Sequence, residues 1–418
     1  MLSSLRFQVG LLTTLQALLL TNNVTLIAVN ALVGQRLSPD PALATLPVTG
    51  YVLGAALASV PAATVMRRLG RRAGYTLGSV AGIVGSLVCG WGAWAGSLWL
   101  LCAGTFVCGL YNAFGTSYRF AAADVADAYG PDFKARAISL VLTGGIAGGV
   151  VGPELSKITR VALPVDFAAT YLSLSAFAVA SLLLAQWLRL PRAPAVSAAA
   201  PARPLSAILA QPRCWIAIAT ASLAYGVMNL LMVATPLAMA VCSHPYAAAA
   251  LVLQWHVVGM FLPGLFTGRL IARFGSLPVI AAGGVLMLAC AGIALAGVDV
   301  PNFLAALLLL GVGWNFMYTG ATTLLTTAYL PQEKNLVQGF NDACVFATMI
   351  TSSLSAGVLM FSNGWSLLNL LAVPIVVAVL GGCAWLASRE GWRPPIGAPA
   401  VPVLAASGAP TTRGVPRP

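Results

Sequence analysis

Ionisable side chains are scarce in this sequence: only 8% of its 418 residues are charged, ten of them acidic, and two more are histidines. A soluble globular domain carries about 25% charged residues, so a water-facing surface is excluded. The eight cysteines, Cys89, Cys102, Cys108, Cys214, Cys242, Cys290, Cys344 and Cys383, include no C-x-x-C pair and lie mostly in apolar runs. That pattern gives neither a disulfide framework nor a zinc site. The sequence also lacks a G-x-x-x-x-G-K-[ST] phosphate loop, an H-E-x-x-H pair and a base-supported nucleophile. ATP-driven transport and a polytopic enzyme therefore have no chemistry to run on. No metal and no cofactor is expected.

What is present is apolar: 59% of residues are hydrophobic and the mean hydropathy is +0.90. A helix needs about 20 apolar residues to cross a hydrocarbon core of ~30 Å. Twelve segments qualify: 8–33, 41–65, 74–95, 97–118, 137–162, 166–188, 214–240, 247–268, 277–297, 302–325, 336–361 and 364–388. They are continuous rather than alternating, which predicts helices and not a barrel. The first follows Arg6, is too long for a signal-peptide core and has no small-x-small cleavage site, so it is expected to be a retained span.

Basic residues exceed acidic ones 22 to 10, a net charge of +12. With the N-terminus inside, 19 of the 22 fall on the cytoplasmic side and only Arg36, Lys157 and Arg160 do not. This bias predicts a multi-pass protein of the cell inner membrane with both termini cytoplasmic. The excess is thus a topology signal, and no nucleic-acid partner is expected. The basic loops 66–73 and 119–136 are placed to touch anionic lipid headgroups.

The two halves of the chain resemble each other. MRRLGRRAG (Met66 to Gly74) follows the second span and GRLIARFGS (Gly268 to Ser276) the eighth. Aligning Gly70 with Gly275 also aligns Arg68 with Arg273 and Gly54 with Gly259, while Tyr129, Pro131 and Lys134 match Tyr329, Pro331 and Lys334. The expected organisation is an N-terminal six-helix half (1–188), a Pro/Ala-rich cytoplasmic linker (189–213), a C-terminal six-helix half (214–390) and a disordered cytoplasmic tail (391–418).

On these residues the sequence resembles the major facilitator superfamily. The family's loop after the second span, Gly-x-x-x-Asp-Arg-x-Gly-Arg-Arg, is matched by Arg68, Gly70, Arg71 and Arg72, with Ala63 for the first Gly and Arg67 for the Asp. Gly148, Gly152 and Pro153 match the G-x-x-x-G-P core of the family's antiporter motif, followed here by Ser156 and Lys157 instead of glycines. The resemblance implies an all-α membrane fold of two pseudo-symmetric six-helix bundles and a secondary transporter working by alternating access.

Few polar groups lie within the spans, and each has two readings. Glu154, with Lys157 and Arg160 on one helical face, is either a proton-coupling carboxylate or half of a static pair at the interface. His256 is either a coupling group or a neutral, hydrogen-bonded interior histidine. Asp342, at the start of the eleventh span, either latches to Arg67 or Arg68 when the inner gate closes or stabilises its helix terminus. Arg71, Arg72 and Arg273 complete the gate candidates. The resemblance makes spans one, four, seven and ten central, and each carries an amide: Asn22 and Asn23, Asn112, Asn229 and Asn315. These are either a site for a neutral or zwitterionic ligand or bonds between helices. Gln16, Tyr111, Tyr225, Trp314 and Tyr318 are candidates for cavity walls.

The function expected is a monomeric secondary transporter of a small molecule, with protons as a candidate coupling ion. The glycine-rich fifth span favours efflux slightly, with an uptake permease for a small metabolite or vitamin as the alternative. A non-transporting sensor or scaffold is the rival of another class; it predicts an appended soluble domain, for which no stretch is long enough.

Overall fold

The computed structural model describes residues 2–126, 131–190 and 203–392, and every regular element among them is helical. Residues 191–202 of the linker and the tail beyond 392 lie outside the described residues, as do Asp127, Tyr129, Arg192 and Arg393. The first six spans are Leu2–Leu37, Leu46–Leu69, Arg71–Trp94, Leu98–Gly115 (continued by Tyr118–Ala126), Pro131–Thr159 and Ala168–Ala185. The seventh is Pro212–Val241, the ninth Ser276–Ala296 and the tenth Val300–Thr326. The eighth is broken: Tyr246–Phe261 meets Gly264–Phe274 at 41°, where Pro263 can donate no backbone hydrogen bond.

The remaining helix, Lys334–Glu390, has 57 residues, which at 1.5 Å per residue is nearly three times the thickness of a hydrocarbon core. It is kinked at Gly364, whose φ of 79° and ψ of 176° are not helical. With the broken eighth taken as one span, the described residues hold eleven helical elements long and apolar enough to cross a membrane, against the twelve expected, because the eleventh and twelfth apolar runs lie on the one helix Lys334–Glu390. Several helices overrun the apolar runs that predicted them. An apolar run measures hydrocarbon thickness, whereas the helix continues through the interface, as Leu46–Leu69 does past Arg67 and Arg68.

The repeat is visible in the backbone. Gly70 (φ 87°, ψ 159°) ends the second span and Gly275 (φ 94°, ψ 166°) the eighth, so the two aligned glycines make the same turn. Positive φ is what glycine adopts without cost. This turn lies at what is called here the basic end of the bundle, which also carries Arg67, Arg68, Arg71 and Arg72; the opposite end is the far end. Exposed tryptophans mark both rims, Trp91, Trp94 and Trp99 at the far end and Trp187, Trp215 and Trp385 at the basic end. Such belts sit where lipid headgroups begin.

Within the N-terminal half the fifth span packs backbone to backbone on the first. A Cβ on Gly144, Gly148 or Gly152 would lie 2.4, 2.6 or 3.0 Å from the carbonyl oxygens of Thr13, Ala17 and Thr21. Small residues at this spacing let membrane helices approach closely. The glycines next to two of them face the other way, across the boundary between halves: a Cβ on Gly149 would lie 2.5 Å from Val257 and one on Gly145 3.4 Å from Phe261.

The buried core reveals how the halves are tilted. Far-end residues of the N-terminal half, such as Val29, Val48, Leu101 and Leu174, share one continuous core with the whole C-terminal half. The basic-end residues of the N-terminal half, among them Leu12, Tyr75, Tyr118 and Val141, form a separate core of their own. The halves are joined at the far end and parted at the basic end.

Candidate functional site

The far-end junction is closed by specific contacts. Tyr246, which opens the eighth span, reaches into the N-terminal half. Its hydroxyl lies 2.6 Å from Ser156 Oγ, and because Ser156 donates to the Pro153 carbonyl at 2.7 Å, Tyr246 is the donor. Its ring meets Phe167 edge-on at 5.0 Å and lies 5.4 Å from the Arg160 guanidinium. Phe167 has a φ of 65°, a left-handed conformation that is costly for a bulky residue. Asp166 fixes this corner by binding Arg36 at 2.6 Å and Arg160 at 3.4 Å. These guanidiniums, Arg36 first, hold its carboxyl below the usual range. On the other side of the seal, a Cβ on Gly357 of the eleventh span would lie 2.7 Å from the Ala42 carbonyl oxygen.

At the basic end the charged groups bind within their own halves. Arg71 pairs with Asp124, and Arg72 donates to Gln186 at 3.2 Å. Arg67 and Arg68 are exposed, and among the described residues no ion pair joins either to Asp342, which accepts from Asn341 Nδ2 at 3.2 Å. Arg273 lies over Phe274 at 5.2 Å. In the C-terminal half Glu333 is fully buried and accepts from Arg203 Nε and Nη2, both at 2.7 Å, and from the Leu330 amide. Arg203 holds its carboxyl down to about 2. Arg213 pairs with Glu390. The near end of the linker, 203–211, is thereby fastened to the C-terminal half. Sequence reasoning missed this clasp, because Arg203 and Glu333 are far apart in the chain and neither belongs to a motif.

The intramembrane amides have protein partners. Asn23 donates to Asn112 at 2.7 Å, joining spans one and four, and Asn22 donates to its own helix at Leu18. Asn229 donates to Ser352 and Ser353, each at 2.8 Å, joining spans seven and eleven. Asn315 accepts from Thr267 and donates to the Met260 carbonyl, both at 2.7 Å, where it bridges the break in the eighth span. Gly148, Gly152 and Pro153 lie on the packing face already described.

Tyr225 and Trp314 belong to a three-ring cluster with Tyr318. Trp314 and Tyr318, one turn apart on the tenth span, stack at 5.2 Å and 10°. Tyr225 of the seventh span stands perpendicular to both, at 5.2 and 5.4 Å. Trp314 is 8% exposed and its Nε1 has no hydrogen-bond acceptor. Tyr51 of the second span and Arg119 are close enough to Tyr225 to interact with it electrostatically, and Arg119 is likewise close to Tyr318 and Asp342. The sequence places Arg119 in a loop. The structure continues the fourth span into Tyr118–Ala126, so Arg119 stands on helix.

Of the coupling candidates, Glu154 binds Lys157 at 2.6 Å on its own helix, with 44% of its side chain exposed. His256 is fully buried; its Nδ1 lies 2.7 Å from the Leu307 carbonyl, which can only accept, so Nδ1 bears the proton and Nε2 is left without a partner. Among the described residues no group of His, Cys, Asp and Glu could hold a metal ion.

Long apolar helices in two halves that repeat the same turn and share a core at the far end have the architecture of a membrane transporter. The chain belongs to the major facilitator superfamily, whose family model matches residues 11–262. It is similar to the riboflavin transporter RfnT of Brucella anthropi, 43% identical over 381 residues that cover 90% of this chain and 94% of that one. It is also similar to two uncharacterised MFS-type transporters of Bacillus subtilis, YddS and YdeG, each 27% identical with 84% of this chain and 86% of the relative covered. The chain is therefore a multi-pass membrane transporter of a small molecule and not an enzyme.

Proposed function

We propose that this protein carries riboflavin or a closely related flavin across the cytoplasmic membrane by alternating access. The likeness to RfnT over nearly the whole of both chains carries this reading. The ring cluster of Tyr225, Trp314 and Tyr318 supports it, since a flat aromatic ligand is held by aromatic faces. The charge bias assigns the basic end to the cytoplasm, so the conformation described is the inward-open one. The protein works as a monomer, with lipid headgroups against the basic rim.

The efflux preference drawn from the fifth span has a simpler explanation. Gly148 and Gly152 are required by close packing on the first span, and packing carries no direction. Uptake of a vitamin is the reading we adopt. The partners of Glu154 and His256 favour structural roles for both, so proton coupling through either is the second reading.

The test is transport of riboflavin by purified protein in liposomes, with and without a pH gradient, alongside growth of a riboflavin auxotroph on scarce vitamin. Saturable riboflavin entry and rescued growth are expected. Absence of both, with the protein correctly inserted, refutes the substrate. Accumulation that follows the pH gradient and is lost in Glu154→Gln or His256→Gln restores the coupling reading.

A further inference from the structure

The surroundings of the three-ring cluster are chemically lopsided. On one side stand the rings and one unused donor: Trp314 is more than nine-tenths buried, yet its indole N–H finds no acceptor among the described residues. A buried polar group without a partner is costly and calls for an explanation. Toward the basic end the neighbouring side chains turn polar. Ser222, nearly one turn from Tyr225, has a buried hydroxyl without a partner, as does the side-chain oxygen of Asn341 beside Asp342. Arg119, in the N-terminal half, is exposed and makes no ion pair among the described residues, its guanidinium lying 4.8 Å from the Phe120 ring. Tyr318 is stacked on Trp314 and feels the charges of both Arg119 and Asp342.

A flavin is lopsided in the same sense. It has a flat tricyclic ring whose pyrimidinedione edge carries carbonyl acceptors, and a polyhydroxylated chain that needs both donors and acceptors. Resting on the flavin reading above, we propose that the ring lies against the Tyr225–Trp314–Tyr318 cluster with a ring carbonyl accepting from Trp314 Nε1, and that the polyol chain points to the basic end between Arg119 and Asp342. The amides that hold the helices together are not ligand groups in this arrangement. The two charges come from opposite halves, so the polar tail is held by both while the ring is held mainly by one.

The experiment compares two fluorescent probes, riboflavin and lumiflavin, which has the same ring with a methyl group in place of the polyol chain. Binding to the purified full-length protein is read from quenching of flavin fluorescence. Trp314→Phe keeps a ring but removes the donor, and is expected to weaken both probes about five- to tenfold, the effect of one hydrogen bond. Tyr225→Leu, on the partly exposed side of the cluster, is expected to weaken both as well, and stands in should the buried Trp314 variant fail to fold. Arg119→Gln and Asp342→Asn are expected to weaken riboflavin about tenfold or more and to leave lumiflavin within about twofold.

The ratio between probes matters because a variant that merely tips the balance between inward- and outward-open states scales both apparent affinities by one factor. Equal losses for both probes in Arg119→Gln and Asp342→Asn overturn the tail assignment. Unchanged binding of both in Trp314→Phe and Tyr225→Leu overturns the ring assignment. If the unaltered protein binds neither probe, the flavin reading itself falls, an outcome distinct from the other two.

Discussion

Replacing Tyr246 should unseal the far end, and the size of the effect follows from its contacts. Tyr246→Phe removes only the hydroxyl that donates to Ser156 at 2.6 Å. A hydrogen bond of this kind is worth about 1 kcal/mol net, so the odds of the outward-open state should rise about fivefold. Tyr246→Ala also removes the edge-on contact with Phe167 at 5.0 Å and the Arg160 contact at 5.4 Å. These add roughly 0.5–1.5 and 0.5–1 kcal/mol, which brings the change in odds to roughly thirty- to four-hundredfold. Spin labels at Leu43 and Ser362, exposed far-end positions in opposite halves, report the separation by pulsed electron resonance. A long-distance population should be small in the parent, larger in the Phe variant and dominant or nearly so in the Ala variant. Identical distance distributions in parent and Ala variant would refute the idea that this corner holds the halves together.

Glu333→Gln should loosen the clasp between the linker and the C-terminal half. Arg203 lowers the Glu333 carboxyl, so its stabilisation is fully present above about pH 4.5 and is lost as pH falls toward 2. The Gln variant should melt several degrees lower at pH 7, and that gap should narrow at the acid end of this window; a constant gap would contradict the assignment. Gly149→Val, which forces a branched side chain onto Val257, should slow riboflavin exchange while Gly10→Val, at an open position, leaves it unchanged; equal rates would sink the close-contact argument. His256→Phe loses the bond to Leu307 and should lower the melting temperature without moving the pH dependence of transport, which a pH-rate profile checks directly.

The fold was largely legible because a bilayer imposes length and polarity on the sequence. The twelve apolar runs and the aligned Gly70 and Gly275 carried it. What the apolar runs could not show was where helices end, since Arg67, Arg68 and Arg119 lie on helix beyond the hydrocarbon. The site was legible by residue type and illegible by role. Asn229 and Asn315 are polar groups in apolar surroundings, and whether such a group meets a ligand or Ser352 and Thr267 is decided by neighbours more than forty residues away. Arg119 reads in the sequence as part of a basic loop because its helical placement depends on the fourth span continuing past Gly115, and its influence on Tyr318 and Asp342 depends on the fold.

The glycine doublets of the fifth span give that helix two unlike sides. One is keyed to the first span through Gly144, Gly148 and Gly152, and travels with it. The other, at Gly145 and Gly149, is a smooth track along which Val257 and Phe261 of the opposite half can glide without lifting over a side chain. A machine that must cycle needs a plain bearing next to a fixed joint, and here one helix supplies both by placing two glycines side by side.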